Sequence, residues 1–362
     1  MSALTSVSLA ALTTVRVGGP ARRYINAETE DELIAAVRAA DEASAPLLIV
    51  GGGSNLLISD EGFDGVVVHI ATSGLEFRTE GESVLALAQA GHPWDDVVST
   101  SLERGYSGLE ALSGIPGLAG ATPVQNVGAY GADVSQSITR VRTWDRQART
   151  IREFAAADLA FGYRDSVLKR STVNGSPRYV VLTVEFALST GSLSAPVRYA
   201  ELARALGVEV GERADPSAVR REVLRLRASK GMVLDPSDPD TFSTGSFFTN
   251  PIVDEAAAAA LPAGAPRYPV AEPHRVKLSA AWLIDHAGFG KGYGLSGDGA
   301  AVAGGRASLS TKHTLAVTNR GTASAEDILA VARAVADGVE AAFGIRLHPE
   351  PLLVNCALEH AV

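Results

Sequence analysis

The sequence contains little cysteine, no long apolar segment and no excess of positive charge. Its one cysteine, Cys356, excludes an intrachain disulfide framework and a metal site built from cysteines. No apolar run reaches the roughly 18–20 residues of a membrane-spanning helix. The first residues lack the basic region of a secretory signal peptide. A net charge of −9 argues against nucleic acid or an anionic membrane surface as the main partner. We therefore expect a cytoplasmic protein without a metal.

The pattern of helices and strands predicts an α+β architecture with several sheets. With 362 residues, 46% of them hydrophobic, the chain should form two or three domains. Thr29 and Glu32 form a capping box that predicts a helix through about Ala43, and Ser324 with Asp327 predicts another over 325–343, ended by Gly344. Strands are expected at 47–50, 63–70, 83–89, 138–145 and 179–188, and further helices at 93–104 and from Asp215-Pro216 to Ser229 or Lys230.

Two glycine-rich stretches are candidate cofactor loops. The sequence GGGSNLL, residues 51–57, follows a predicted strand, as a diphosphate-binding loop does. It is not a dinucleotide fingerprint, because Leu56 stands where that motif needs glycine and Ala71 where it needs an acid. A tight β-turn is the alternative.

The second stretch, SGIPGLAGATPVQNVGAYG, covers residues 113–131. Its glycines exclude a helix or a long strand, while Ile115, Leu118 and Tyr130 should be buried. A large polar cofactor along it would satisfy its backbone groups. A structural loop between domains remains the alternative.

Three polar clusters could carry chemistry. Arg164, in FGYRDS, could hold a carboxylate or phosphate, or form a structural Arg–Asp pair. Ser246, in GSFFTNP, is not in a G-x-S-x-G elbow, so hydrolase chemistry is not indicated; a buried turn serine is the alternative. In the same cluster, Asn250 could bind amide or hydroxyl groups. Glu350 lies between two prolines, as a rigidly held acid should, although many loop glutamates are simply solvated.

Together these motifs resemble the UDP-N-acetylenolpyruvoylglucosamine reductase family, nearly end to end. The matching segments are VGGPA (17–21), GGGSNLL (51–57), GIPGLAGATPVQNVGAYG (114–131), GYRDS (162–166), GSFFTNP (245–251), AAWLIDHAGFGKG (280–292) and HPE (348–350). The resemblance implies a three-domain flavoprotein, with an FAD-binding fold of the vanillyl-alcohol-oxidase type and a substrate-binding domain. The implied domains are 1–72 joined by 344–362, then 73–230, then 231–343.

The resemblance also implies the reaction. FAD would be held noncovalently and reduced by NADPH. A hydride would then reach C3 of UDP-N-acetylglucosamine enolpyruvate and a proton C2, giving UDP-N-acetylmuramate for peptidoglycan synthesis. A monomer is expected. No complete nicotinamide fingerprint is present, so NADPH should enter the pocket later used by the sugar nucleotide, which predicts ping-pong kinetics with substrate inhibition.

Matching positions give the implied site residues. Arg164 and Glu350 would stabilise the enediolate formed when the hydride arrives, and Ser246 would protonate C2. The implied substrate contacts are Tyr163, Tyr199, Lys230, Asn250, Tyr268 and His313. Tyr199 marks the form with an extra tyrosine-bearing loop, and His313 departs from a glutamine in the family pattern. The implied FAD contacts are Gly51, Gly52, Gly53, Ser54, Asn55, Leu56, Gly114, Ile115, Pro116, Gly117, Gly120, Ala121, Gln125, Asn126, Gly128, Ala129, Tyr130 and Gly131.

Two other classes of flavin-binding protein are alternatives to this family. A flavin oxidase would often tether its flavin through His or Cys near the first glycine loop, and VGGGSN contains neither. A nonenzymatic flavin-binding module would not need Ser246, Arg164 and Glu350 together.

Overall fold

The chain folds into two compact units, each with its own core. A computed structural model describes residues 7–81, 83–173 and 175–359. The first unit consists mainly of Ala21–Gly53 and Phe63–Val233. The second contains Ser8–Pro20, Ser54–Gly62 and the chain from Leu234 onward. The boundary at Val233 falls close to the predicted start of the third domain at residue 231.

A parallel sheet begins the first unit. Strands Pro20–Ala27, Phe63–Ile70 and Leu47–Val50 lie side by side in that order and run parallel. Helix Glu30–Glu42 packs its buried face on this sheet, and the Thr29 hydroxyl accepts a 3.2 Å hydrogen bond from the Glu32 N–H. Such a cap contributes about 1 kcal/mol. The predicted capping box is therefore confirmed.

An antiparallel sheet forms the larger part of the same unit. Its strand order is Thr150–Ala155, Ile138–Asp145, Tyr179–Thr190, Ser83–Gln89 and Leu75–Glu80, with Tyr106–Ser107 pairing to the third of these. The central strand is buried along most of its length because helix Trp94–Glu103 covers it, with the Trp94 and Phe186 rings 5.4 Å apart. Both sheets share one core.

A smaller cluster completes the first unit. Helices Ala200–Leu206 and Pro216–Ser229 pack through Leu202, Val219 and Val223. The Asp215 carboxylate accepts a 2.7 Å hydrogen bond from the Ala218 N–H, so the predicted helix start is confirmed.

The second unit is built around one long helix. Ala325–Phe343 begins with the Ser324–Asp327 capping box and ends at Gly344, whose φ of 67° is left-handed, all as predicted. The helix packs on Ala280–His286, Ala300–Ala303 and the hairpin Ala307–Leu309/Val317–Asn319. A three-stranded sheet, Ile252–Asp254, Arg275–Leu278 and Arg267–Pro269, lies beside Glu255–Ala259. Leu352–Val354 pairs in parallel with Leu56–Ile58.

The remaining elements are short. They are the strands Val7–Ser8, Gly128–Ala129, Ala132–Asp133, Thr172–Val173 and Ser176–Pro177, the helix Val167–Arg170, and the 3-10 helices Leu9–Leu12, Glu110–Leu112, Ala119–Ala121, Val134–Gln136, Ala156–Leu159, Pro239–Thr241 and Gly297–Gly299. Within the described ranges, no helix combines the length and apolarity needed to cross a bilayer. The predicted α+β architecture with several sheets is confirmed.

Candidate active site

The two predicted cofactor loops touch each other in the first unit. Gly51 and Gly52 follow the strand Leu47–Val50. A Cβ atom placed on Gly52 would lie 2.7 Å from the Gly117 Cα, and one on Gly51 would lie 3.4 Å from a Leu118 methyl. The first distance is too short for any real Cβ, so glycine at 52 is what lets the loops approach. Their backbones form one glycine-lined wall, which we name the glycine wall (residues 51–53 and 114–118).

The protein itself anchors the second loop. The Gly114 N–H donates a 2.6 Å hydrogen bond to Asp95, whose two carboxylate oxygens each accept a 2.7 Å bond from Arg220. Burial alone would raise the pKa of Asp95, but these hydrogen bonds lower it overall, so the group is ionised. Trp94 N–H donates to the Gly117 carbonyl at 3.0 Å. Part of the loop backbone is therefore satisfied without a cofactor.

Side chains of the glycine-rich stretch are less enclosed than the sequence predicted. Ile115, Leu118 and Tyr130 are half-buried rather than buried. Gly120, by contrast, is a packing glycine, since its Cβ would lie 2.5 Å from that of Ala90. The apolar surface of the stretch is thus partly open, as a ligand-binding wall requires.

Arg164 occupies a strained turn beside this stretch. Its φ is 54°, in the left-handed region, and the Gly162 N–H donates to the Asp165 carbonyl at 3.0 Å. The Arg164 Nη2 donates to the Gly128 carbonyl at 3.0 Å. The Asp165 carboxylate instead pairs with Arg170. The structural Arg–Asp pair considered from the sequence is therefore made by Arg170.

One predicted cofactor residue has a structural use. Asn126 takes a left-handed φ of 47°, and its side-chain amide donates to the Gly162 carbonyl at 3.1 Å while accepting from the Ser135 N–H at 3.1 Å. The amide nitrogen holds this loop to the turn before Arg164, and the amide oxygen holds it to Ser135.

Three predicted ligand residues of the first unit form an aromatic and cationic cluster. The Tyr130 and Tyr199 rings meet edge to face at 5.4 Å, and the Lys230 ammonium lies 5.8 Å from the Tyr130 ring centre. Glu201, which the sequence did not indicate, holds Lys230 at 2.6 Å. Tyr199 is 42% exposed and Tyr163 is 43% exposed, so both side chains reach the surface of this unit.

Arg227 is the second residue that sequence reasoning missed. It lies on the helix Pro216–Ser229, three residues before Lys230. A basic residue on the buried face of an amphipathic helix was the sequence signal that could have indicated it. Its Nη2 donates to the Met232 carbonyl at 2.7 Å, while its buried Nε has no hydrogen-bond partner in the described structure. A Cβ on Gly114 would lie 3.6 Å from this Nε. A buried donor and a cation beside the glycine wall fit an anionic cofactor such as FAD.

In the second unit, main-chain hydrogen bonds place Ser246 beside Glu350. Phe247 N–H donates to the Leu315 carbonyl at 2.7 Å, and Glu350 N–H donates to the Phe247 carbonyl at 2.8 Å. Phe247 and Phe248 are buried and pack edge to face at 5.1 Å. Ser246 and Glu350 are themselves half-buried. A hydroxyl and a carboxylate are thus carried on paired backbone segments.

The other predicted site residues of the second unit lie on several different segments. His313 is in the turn before Leu315, with its N–H 3.2 Å from the Ser310 hydroxyl. The Asn250 Oδ1 accepts a hydrogen bond from the Ala280 N–H at 2.9 Å. Tyr268 is 45% exposed and lies 5.9 Å from the Lys277 ammonium. Ser54, Asn55 and Leu56 belong to this unit, unlike Gly51, Gly52 and Gly53.

Among the residues that the structure describes, no group of three or more His, Cys, Asp or Glu side chains could hold a metal ion.

Comparison with known proteins identifies the family. A model of an FAD binding domain matches residues 21–153, and a model of the C-terminal domain of UDP-N-acetylenolpyruvoylglucosamine reductase matches 236–354. The chain is 54% identical to that reductase from Saccharopolyspora erythraea, over 97% of this chain and 95% of the relative. It is 55% identical to the one from Nocardia farcinica, over 98% and 90%.

The fold is also shared with a solved structure. The crystal structure of the reductase from Thermus caldophilus aligns with a TM-score of 0.64 at 24% identity, covering 98% of this chain and 99% of that one. The predicted flavoprotein fold and the expected FAD cofactor are confirmed. The chain belongs to the UDP-N-acetylenolpyruvoylglucosamine reductase family.

Proposed function

We propose that this protein reduces UDP-N-acetylglucosamine enolpyruvate to UDP-N-acetylmuramate with NADPH, through noncovalently bound FAD, in peptidoglycan precursor synthesis. The observation that carries the proposal is the pairing of residues 247–249 with 348–350, which holds the Ser246 and Glu350 backbones together in one unit. A nonenzymatic flavin-binding module has no use for this arrangement. Membership of the family supplies the substrate class.

The glycine wall would hold the cofactor. FAD, when bound, supplies hydride transfer between two substrates that need not meet. Gly51, Gly52, Gly53, Gly114 and Gly117 carry no side chain, so the backbone at these positions suits a close approach to a polar ligand. Residues 120–131 and residues Ser54, Asn55 and Leu56 follow the two loops in sequence, and the proposal extends the FAD contacts to them. VGGGSN offers no His or Cys for a covalent link.

The three catalytic roles follow from the charge that the reaction develops. Hydride arrival at C3 leaves negative charge at C2, shared with the adjacent carboxylate. Arg164 offers a cation to that charge, and Glu350 is assigned to the same stabilisation as a fixed polar group. Ser246 is assigned the proton for C2, which a serine can supply only to a strongly basic carbon at close range.

The remaining residues are proposed to bind the sugar nucleotide. Lys230 is a point charge suited to a phosphate. The exposed Tyr163, Tyr199 and Tyr268 rings offer stacking surfaces, and Asn250 and His313 offer polar contacts. We further propose that the protein acts as a monomer in the cytoplasm. The division into 1–72 with 344–362, 73–230 and 231–343 is retained as a proposal for separate FAD-binding and substrate-binding roles.

An anaerobic half-reaction experiment tests the function. The protein is reduced with NADPH, UDP-N-acetylglucosamine enolpyruvate is added, and the flavin absorbance is followed. Recovery of the oxidised spectrum with formation of UDP-N-acetylmuramate is expected. A flavin that stays reduced, or is reoxidised only when oxygen is admitted, would contradict the proposal and favour an oxidase. Initial-rate patterns should be ping-pong, with inhibition by the sugar nucleotide.

A further inference from the structure

Arg227 is a cation for which the proposed reaction has no role. One hydrogen bond, from Nη2 to the Met232 carbonyl, orients its guanidinium. Its Nε–H is shielded from solvent and has no acceptor in the described part of the chain. An unsatisfied buried donor costs about 1–3 kcal/mol. A protein keeps such a group when a ligand supplies the acceptor, or when packing leaves no choice.

The charge of Arg227 is only partly compensated by the described residues of its unit. Burial lowers the pKa of Arg227 to about 10, so it stays protonated at neutral pH. Among the described residues, Asp95 is the carboxylate that interacts electrostatically with Arg227. Arg220 already donates a 2.7 Å hydrogen bond to each of the two Asp95 carboxylate oxygens. Arg164 contributes further positive charge at Arg227. An anion beside the glycine wall would therefore stabilise the buried charge of Arg227.

The location of Arg227 restricts the kind of anion that could neutralise its charge. Its Nε lies 3.6 Å from where a Gly114 Cβ would be, so the guanidinium is next to the cofactor loop. Tyr130 and Arg164 are its electrostatic neighbours, and Lys230 lies three residues further along the chain beside Tyr130. The proposed function assigns Arg164 to the charge at the reacting carbon and Tyr130 to the cofactor. It assigns Lys230 to the diphosphate of the sugar nucleotide, so that anion has another partner.

We propose that Arg227 tunes the cofactor, by stabilising the negative charge that reduction adds to the flavin ring of FAD. The inference depends on the proposed function, which places FAD at the glycine wall. NADPH gives up a hydride and leaves as NADP⁺. The hydride brings two electrons and one proton, so the ring gains one negative charge. A fixed guanidinium nearby favours that charged form and so favours acceptance of the hydride.

The test compares the redox equilibrium of bound FAD in wild-type protein, Arg227→Gln and Arg227→Lys. Arg225→Gln is the matched control, because Arg225 is on the same helix, is 60% exposed and pairs with Glu222. The equilibrium is measured anaerobically against a reference dye, with no substrate present. Arg227→Gln should lower the ratio of reduced to oxidised FAD about tenfold, which is about 30 mV for a two-electron couple. Arg227→Lys should recover most of it, and the control should match wild type.

A redox equilibrium in Arg227→Gln equal to that of wild type would overturn the inference. So would an equal loss of affinity for oxidised and reduced FAD, which would identify the cofactor diphosphate as the partner, or a change confined to the KM of the sugar nucleotide. If Arg227→Gln does not fold, Arg227→Lys decides. A buried lysine titrates where arginine does not, so its redox equilibrium should gain an inflection with pH that wild type lacks. A profile without that inflection would also overturn the inference.

Failure of the inference and failure of the proposed function can be told apart. Wild-type protein that binds no FAD, or does not reduce the enolpyruvyl substrate, contradicts the function. Wild-type protein that does both, with variants of unchanged redox equilibrium, contradicts only the role of Arg227.

Discussion

The N–H of Glu350 donates a 2.8 Å hydrogen bond to the carbonyl of Phe247, the residue after Ser246. Phe248 pairs with Pro349, and Thr249 N–H donates to the His348 carbonyl at 3.1 Å. The two segments are therefore joined by main-chain contacts. Replacing the side chain of Ser246 or Glu350 should leave the pairing intact, so the chemical roles of both can be tested without unfolding the site.

Replacing Ser246 by alanine should abolish enolpyruvyl reduction and spare the first half-reaction. Loss of a proton donor costs about 10²–10⁴-fold in rate, whereas FAD binding and reduction by NADPH do not use the hydroxyl. Stopped-flow measurement of each half-reaction separates these effects. Ser237→Ala, an exposed serine of the same unit, is the control. Loss of FAD binding in Ser246→Ala would indicate a structural serine instead.

Replacing Glu350 by glutamine keeps the size of the side chain and removes the carboxyl group that is assigned to the enediolate. The rate of the second half-reaction should fall about 10²–10³-fold, as when one preorganised group is lost. Thermal unfolding should be nearly unchanged, because the backbone of Glu350 makes the contact with Phe247. A variant with wild-type turnover would exclude Glu350 from the chemistry.

The Gly52→Ala substitution should push the two loops of the glycine wall apart. The new methyl group would lie 2.7 Å from the Gly117 Cα, so one backbone must move. Overpacking of this kind costs about 1–3 kcal/mol, and FAD affinity should fall about tenfold or more. Gly264→Ala is the control, because a Cβ there meets nothing within 4 Å. The ratio of flavin to protein absorbance after gel filtration reports the result, and equal ratios in both variants would contradict the assignment.

Glu201→Gln should strengthen binding of phosphate-bearing ligands. Glu201 holds the Lys230 ammonium at 2.6 Å, and a ligand phosphate has to compete with that carboxylate. Partly exposed ion pairs are worth about 0.2–1 kcal/mol, so the KM values of NADPH and the sugar nucleotide should fall by up to about fivefold with little change in kcat. Glu222→Gln serves as the control. A higher KM would show that Glu201 positions Lys230 for the ligand rather than competing with the ligand phosphate for Lys230.

Acid should destabilise the first unit partly through Asp145. The hydrogen bonds from Arg178, at 3.0 and 2.8 Å, are the main reason that the pKa of Asp145 lies below its ordinary value of 3.8. Because the folded state holds the ionised form, this stabilisation is present above 3.8 and is lost as pH falls through the lower, folded-state pKa. Denaturant unfolding across this range should show a weaker acid dependence for Asp145→Asn. An unchanged dependence would contradict this.

Local signals in the sequence predicted the helices and strands well. They could not predict contacts between segments that are distant in the sequence. The helix Ala325–Phe343 was predictable because its capping box and its terminal glycine are both adjacent to it. The contact of Gly52 with Gly117 depends on how two loops pack, which neither loop specifies alone. Arg227 carries no motif beyond its place on an amphipathic helix, and only the structure shows that its buried Nε has no hydrogen-bond partner among the described residues.

The parallel pairing of Leu56–Ile58 with Leu352–Val354 has a consequence for synthesis of the protein. Asn55 and Glu350, which flank it, share a 3.3 Å hydrogen bond although they are 295 positions apart. A nascent chain on the ribosome therefore holds the early strand unpaired while the first unit is made. A chaperone that shields this edge during translation would be expected to increase the yield of active enzyme, because contacts between such remote positions form slowly.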